Sequence, residues 1–161
     1  MHRHPSMKGF TLIEVLVVIG IIAILAAVVL VAVNPGRQFK LARDSQRTAN
    51  VEALVNAIHQ NMSEHRGSFV CGGAARALPH ALTAIRGDAT DSYAASGYLG
   101  DIASCLVPDY ISALPFDPAV PRAHFASTTD YDTGYEIVQG ADGRITASST
   151  GELVPTIAAT Q

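Results

Sequence analysis

The 161-residue chain has no tryptophan and only two cysteines, Cys71 and Cys105. It contains no G-x-S-x-G, H-E-x-x-H, Walker or dinucleotide-binding pattern. The nucleophile elbow, the zinc-protease helix and the phosphate-cradling loop are therefore all missing. No Cys-x-x-Cys spacing occurs either, which removes the usual thiolate zinc site. His59 and His65 stand six residues apart, a spacing that does not bring two metal ligands onto one helical face. There is no internal repeat. Basic residues are scarce late in the chain: beyond Gly87 only Arg122 and Arg144 accompany Asp88, Asp91, Asp101, Asp109, Asp117, Asp130, Asp132, Glu136, Asp142 and Glu152.

Charge is missing most conspicuously from positions 15–33, where no charged or strongly polar residue stands. That run accounts for the 48% hydrophobic content and the mean hydropathy of +0.24. From Asn34 on the chain is polar and rich in Gly, Ala, Ser and Thr, so its core must be small and in need of neighbours or a covalent staple. Residues 10–33 would form a helix of about 36 Å at roughly 1.5 Å per residue. This exceeds the ~30 Å hydrocarbon layer, so the segment can span a membrane with some tilt. A secretory signal has a shorter apolar region and an Ala-x-Ala-like cleavage site, neither of which fits. Instead a short basic leader with Arg3 and Lys8 precedes the run, and Met7 is an alternative start. Glu14 is the anomaly, because a carboxylate in a spanning helix costs about 2.5–3.5 kcal/mol at the bilayer centre and less near its edge. Such a group is a functional hypothesis that requires a partner.

Gly9, Phe10-Thr11-Leu12-Ile13-Glu14-Val15 and the apolar continuation resemble, residue by residue, the prepilin signature of type IV pilins and type II secretion pseudopilins. The resemblance implies an α+β, pilin-like fold: a long N-terminal transmembrane and amphipathic helix carrying a small antiparallel sheet head. It implies cleavage between Gly9 and Phe10 by a membrane prepilin peptidase, N-methylation of Phe10 and retention of the apolar helix as the core of a homo-oligomeric helical filament. An inner-membrane assembly platform is a further implied partner. Cleavage would create a cationic amine at Phe10, and Glu14 of one subunit would pair with that amine on a neighbour, fixing axial register. In low dielectric such a pair attracts far more strongly than in water. The precursor is then a single-pass protein of the cytoplasmic membrane with its head periplasmic or extracellular. Counting Arg37, Lys40, Arg43 and Arg47 against the leader's bases favours the opposite orientation, but the peptidase site must face inward.

Five segments are expected: a leader at 1–9, the membrane helix at 10–33, an amphipathic helix at 34–66, a head at 67–149 and a flexible tail at 150–161. Asn34-Pro35 either breaks the helix or caps a second one with Pro35 in its first turn. Phe39, Ala42, Val51, Leu54, Val55, Ile58 and Met62 recur at helical spacing up to Gly67. Residues 43–48 are polar all round, suggesting exposure or subunit contact. The basic neck is either solvated or meets the acidic surface in an assembly. Residues 68–100 read as loop with a short helix at 77–86, and residues 101–114 show helix-like spacing. Leu114-Pro115-Phe116-Asp117-Pro118 resembles the Leu-Pro-x-Asp-Pro element that precedes the sheet in secretion pseudopilins. Residues 135–139 and 144–148 read as a hairpin, with a third strand at 123–126.

If the head is exported, Cys71 and Cys105 can pair. The bond would close a loop of about 35 residues and stabilise by roughly 3–4 kcal/mol; two free thiols are the alternative. No cofactor is expected. The one cation considered is Ca2+, at Asp130 and Asp132 with Asp117 or Asp142 within reach, against ordinary turn chemistry for the same acids. The task implied by the resemblance is a secretion pseudopilus subunit. Its alternatives are a surface pilin for adhesion, motility or DNA uptake and, in another class, a membrane-anchored binding or enzyme domain. Nucleic acid is not an expected partner: the basic neck could meet phosphates but would be covered in a filament.

Overall fold

A computed structural model describes residues 9–87 and 102–161. The leader bases Arg3 and Lys8 and the acids Asp88, Asp91 and Asp101 lie outside the described residues. The chain divides into two units, Met1–Phe39 and Lys40–Gln161.

The first unit is dominated by helix α1, Leu12–Val33. Its start is chemically defined. Thr11 Oγ1 accepts a bond from Glu14 N at 3.3 Å, and Glu14 Oε2 accepts from Thr11 N at 2.8 Å. This reciprocal capping box satisfies two amides that a helix N-terminus otherwise leaves unpaired. None of the 22 residues of α1 is buried. Asn34 ends the helix in the left-handed conformation, at φ 44°. Its Oδ1 also accepts from Arg37 N at 3.3 Å, so one residue both stops α1 and caps helix α2, Pro35–Glu64. Pro35 occupies the first turn, where a missing N–H costs nothing.

Within the second unit α2 buries Val51, Leu54, Val55, Ala57 and Ile58. The stripe continues toward the helix start through Asp44 and Arg47, both buried. Positions 44, 47, 51, 54, 55 and 58 therefore share one face at three- and four-residue steps. Against the expectation of exposure or subunit contact for residues 43–48, Asp44 and Arg47 are buried within their own unit, while Ser45, Gln46 and Thr48 are exposed. Phe39 does not join this stripe, being 64% exposed, and Ala42 is exposed as well. The helix ends at a left-handed Arg66 and Gly67, with Gly67 N donating to Met62 O at 2.8 Å.

The head contains a short hairpin, β1 Val70–Cys71 and β2 Ala74–Ala75, and a five-stranded antiparallel sheet. The sheet comprises β3 Thr83–Gly87, β4 His124–Ser127, β5 Asp130–Gln139, β6 Ile145–Ser149 and β7 Ile157–Thr160. Strand β5 is its axis. Along one edge it pairs with β3; along the other it pairs first with β4, through Phe125↔Tyr131, and then with β6, through Ile137↔Ala147. Tyr131, Thr133, Tyr135 and Ile137 alternate inward along β5 and share the core with Ile85, Ile145 and the apolar stripe of α2.

Three expectations are corrected. Residues 77–86 hold no helix; Pro79 precedes an extended segment, and Thr83 and Ile85 enter strand β3, with Ile85 fully buried. Helix α3 is confined to Ala103–Leu106, since Pro108 lacks the amide that a continued turn would need. Residues from Thr150 on are not a loose tail, because β7 pairs with β6 from Ser149↔Ile157 to Thr146↔Thr160. The cysteines Cys71 and Cys105 are bonded to each other, 34 positions apart. Beside them the buried Asn61 donates to Val70 O at 2.9 Å and accepts from Val70 N at 2.8 Å, tying β1 to α2.

Candidate functional site

Two places gather polar or ionic side chains that bear on the candidate site, one in each unit. In the first, Gly9 and the ring of Phe10 are open: Phe10 is 88% exposed, and an added Cβ at Gly9 would meet nothing within 4 Å. Among the described residues nothing crowds the peptide between them. Four residues on, the carboxylate of Glu14 is oriented by its own helix start. Oε2 takes bonds from Thr11 N and from Thr11 Oγ1 at 2.7 Å. A carboxylate has about four acceptor sites, so capping leaves capacity on Oε1 for a cation. The capping arrangement escaped the sequence reading, although Thr11-x-x-Glu14 is its ordinary signature.

In the second unit, the Leu114-to-Pro118 element delivers Asp117 into an ionic cluster. Leu114 is buried and anchors the element. Asp117 N donates to Thr133 O at 2.8 Å, placing the element beside β5. Gly134, at φ 71°, makes the approach possible: a Cβ there would stand 3.0 Å from Asp117 Cβ. The carboxylate then receives Arg47 in a fork, Nε at 2.7 Å and Nη2 at 3.0 Å. Both side chains are almost wholly buried, 4% and 1% exposed. Arg47 Nη1 also donates to Asp44 Oδ1 at 2.7 Å. Asp44 in turn accepts the amides of Glu152 at 2.8 Å and Leu153 at 2.9 Å, and Arg43 Nη2 donates to Glu152 Oε2 at 2.7 Å. One cluster thus ties α2, the Asp-Pro element and the segment after β6.

Each acid is held ionised. The amide of Glu152 and then Leu153 and Arg47 keep the Asp44 carboxyl below its ordinary range despite desolvation. Arg43 does the same for Glu152. Burial opposes ionisation of Asp117, but Arg47 and the amides of Ala119 and Val120 outweigh it and lower its pKa. Asp117 also raises the pKa of Arg47, keeping the guanidinium charged.

The acids considered for Ca2+ are placed on separate duties. Asp117 holds Arg47, Asp132 accepts from Arg122 Nε at 2.8 Å and from Gly134 N at 2.9 Å, and Asp130 lies 3.1 Å from His124 Nε2. Asp142 accepts from Arg144 N at 3.1 Å in the β5–β6 turn. Among the described residues no group of three or more His, Cys, Asp or Glu side chains converges as a metal cage. The basic neck is also divided: Arg43 and Arg47 are engaged by acids of their own unit, so neck and acidic surface meet within one chain. Nothing in the sequence pointed to that pairing except the helical step from 44 and 47 to 51.

Residues 5–30 match the family model of the prokaryotic N-terminal methylation motif. The chain therefore carries the prepilin-type signal of type IV pilins and pseudopilins. With its long N-terminal apolar helix and antiparallel sheet, its α+β architecture is pilin-like. No curated protein and no solved structure matches the chain.

Replacing Arg47 with Met should strand a buried carboxylate at Asp117 and lower unfolding free energy by about 3–5 kcal/mol. The double variant Arg47→Met/Asp117→Asn should recover part of that loss. Denaturant unfolding of the full chain in detergent measures both, and equal losses would contradict the pairing. Acid should act through the same cluster. Because the folded pKa values of Asp44, Asp117 and Glu152 are lowered, their stabilisation is complete above the unfolded carboxylate range, roughly pH 4. It is lost as pH falls through the lower folded values. Thermal midpoints should drop below about pH 4 and do so less steeply in the double variant; a midpoint flat to pH 2 would refute this.

Proposed function

We propose that the chain is a structural subunit of a type IV pilus-like filament. The observation that carries this is the methylation-motif match over residues 5–30, on an apolar helix none of whose 22 residues is buried among the described residues. In this reading a prepilin peptidase cuts between Gly9 and Phe10, a methyl group is added to the new amine of Phe10, and the matured α1 packs among copies of itself. The precursor sits in the cytoplasmic membrane by α1, with the second unit on the far side, and an assembly platform extracts it.

Glu14 supplies the register. On cleavage a positive amine appears four residues before it in every copy. An incoming subunit can satisfy that charge only by sliding until its amine meets a carboxylate. Away from water an unpaired charge is costly, so mis-registered packing is disfavoured by more than the pair itself contributes. The capping bonds from Thr11 hold Glu14 toward the helix start, and its second oxygen is available to the neighbour.

Within this class we favour a secretion pseudopilus. The Leu114-to-Pro118 element supports it, since here it has a structural task of presenting Asp117 to Arg47 beside the sheet. A surface pilin for adhesion, motility or DNA uptake is the alternative. Binding of nucleic acid through the neck gains no support, because two of its four bases are committed to acids. Glu14→Ala should leave membrane insertion unchanged and reduce filament yield at least tenfold when expressed with its assembly machinery. Sheared or purified filaments read by electron microscopy measure this, and normal yield would remove the register role. Filaments extending beyond the cell envelope at native expression would favour the surface pilin.

A further inference from the structure

The division of the basic neck leaves two cations with a different character. Arg43 and Arg47 are spent on Glu152, Asp44 and Asp117. Arg37 and Lys40 are exposed and have no ionic partner among the described residues. Both stand in the first two turns of α2, three positions apart, which makes them neighbours on the helix surface. Between them Phe39 is 64% exposed. All three follow the last residue of α1, Val33, by seven positions or fewer, a chain rise of at most about 10 Å.

Those dimensions coincide with a physical boundary. A bilayer has a hydrocarbon core of about 30 Å and is about 40–45 Å thick with its headgroups, leaving a polar layer of several Å on each side. α1, with 22 residues, would measure about 33 Å and fill the hydrocarbon. Arg37 then falls at the headgroup layer, and Lys40, about one turn further out, can reach back to it along its flexible stem. Arg and Lys have apolar stems that can lie along lipid while their heads reach phosphate, and an exposed Phe at that depth has acyl chains to contact.

We propose that Arg37 and Lys40 bind the phosphates of anionic phospholipid headgroups at the membrane surface where α1 ends. This rests on the reading of the chain as a membrane-held precursor and adds to it a lipid class and two named residues. The contact belongs to the precursor, and extraction into a filament has to break it. It also gives these two bases a partner, since among the described residues no acid pairs with either.

The test uses the full chain reconstituted in phosphatidylcholine bilayers containing a minor fraction of phosphatidylglycerol. Spin-labelled lipids report which headgroup is held at the protein boundary. Preference for phosphatidylglycerol should be on the order of threefold, given the usual attraction of a surface cation to an anionic leaflet, and should weaken at high salt. Arg37→Gln/Lys40→Gln should bring it close to one, whereas Arg37→Lys/Lys40→Arg should retain it. No preference in the wild-type chain, or an equal preference in the glutamine variant, would overturn the proposal. Failure of the wild-type chain to float with the vesicles would instead overturn the membrane reading beneath it.

Discussion

Everything in the first unit follows from one constraint: α1 is apolar on all sides, and among the described residues none of its positions from Leu12 to Val33 is buried. Water is a poor medium for such a surface, at about 25 cal/mol for each Å2 of apolar area left uncovered. Only lipid or the apolar surfaces of other helices can relieve that cost. A soluble amphipathic helix would turn one face to its own core; this one has no second face to spare. The single acid near its start then becomes informative, since a carboxylate in such surroundings must be capped, hydrated or paired. Thr11 provides the cap, and the new amine of a processed neighbour would provide the pair.

The second unit solves a different problem. Its apolar core is modest, and the buried side of α2 runs out of apolar residues before Val51. Arg47 and Asp44 take over, and their charges are met by the fork to Asp117 and by the amides after β6. A buried ion pair need not add net stability over an apolar substitute of equal volume. It does impose direction: a guanidinium fork accepts only one approach of the Asp-Pro element, and Gly134 leaves room for only that approach. The disulfide between Cys71 and Cys105 and the Asn61 bonds constrain the opposite end of α2. Together they compensate for a core without tryptophan.

Local chemistry was readable from the residues themselves. The apolar run, the Asn34-Pro35 junction, the Gly67 stop and the β5–β6 hairpin each depend on neighbours within a few positions, and each stands where its residues indicate. What could not be read depends on distant partners. β3 is a strand because β5 offers an edge to Thr83, Ala84 and Arg86, overriding a short stretch that suits a helix. β7 is ordered because β6 offers it an edge, which a sequence of Ile, Ala and Thr does not announce. The Arg47–Asp117 pair joins residues 70 positions apart, and polar residues in a helix give no sign of burial until their partners are known. At the N-terminus the methylation motif over residues 5–30 was legible because its signal is contiguous; the uses of Asp117, Asp130 and Asp132 were not, because an acid looks the same in a sequence whether it serves a cation, an arginine or a turn.

The central claim is that the signal at the N-terminus is used, so that α1 begins a mature, modified chain. Intact-mass analysis with N-terminal sequencing of the membrane-extracted protein, expressed in cells containing a prepilin peptidase, tests it directly. The mature chain should start at Phe10, lack residues 1–9 and bear one methyl group on its terminal amine. A chain that retains Met1 or Met7, with α1 serving only as an anchor, would contradict it.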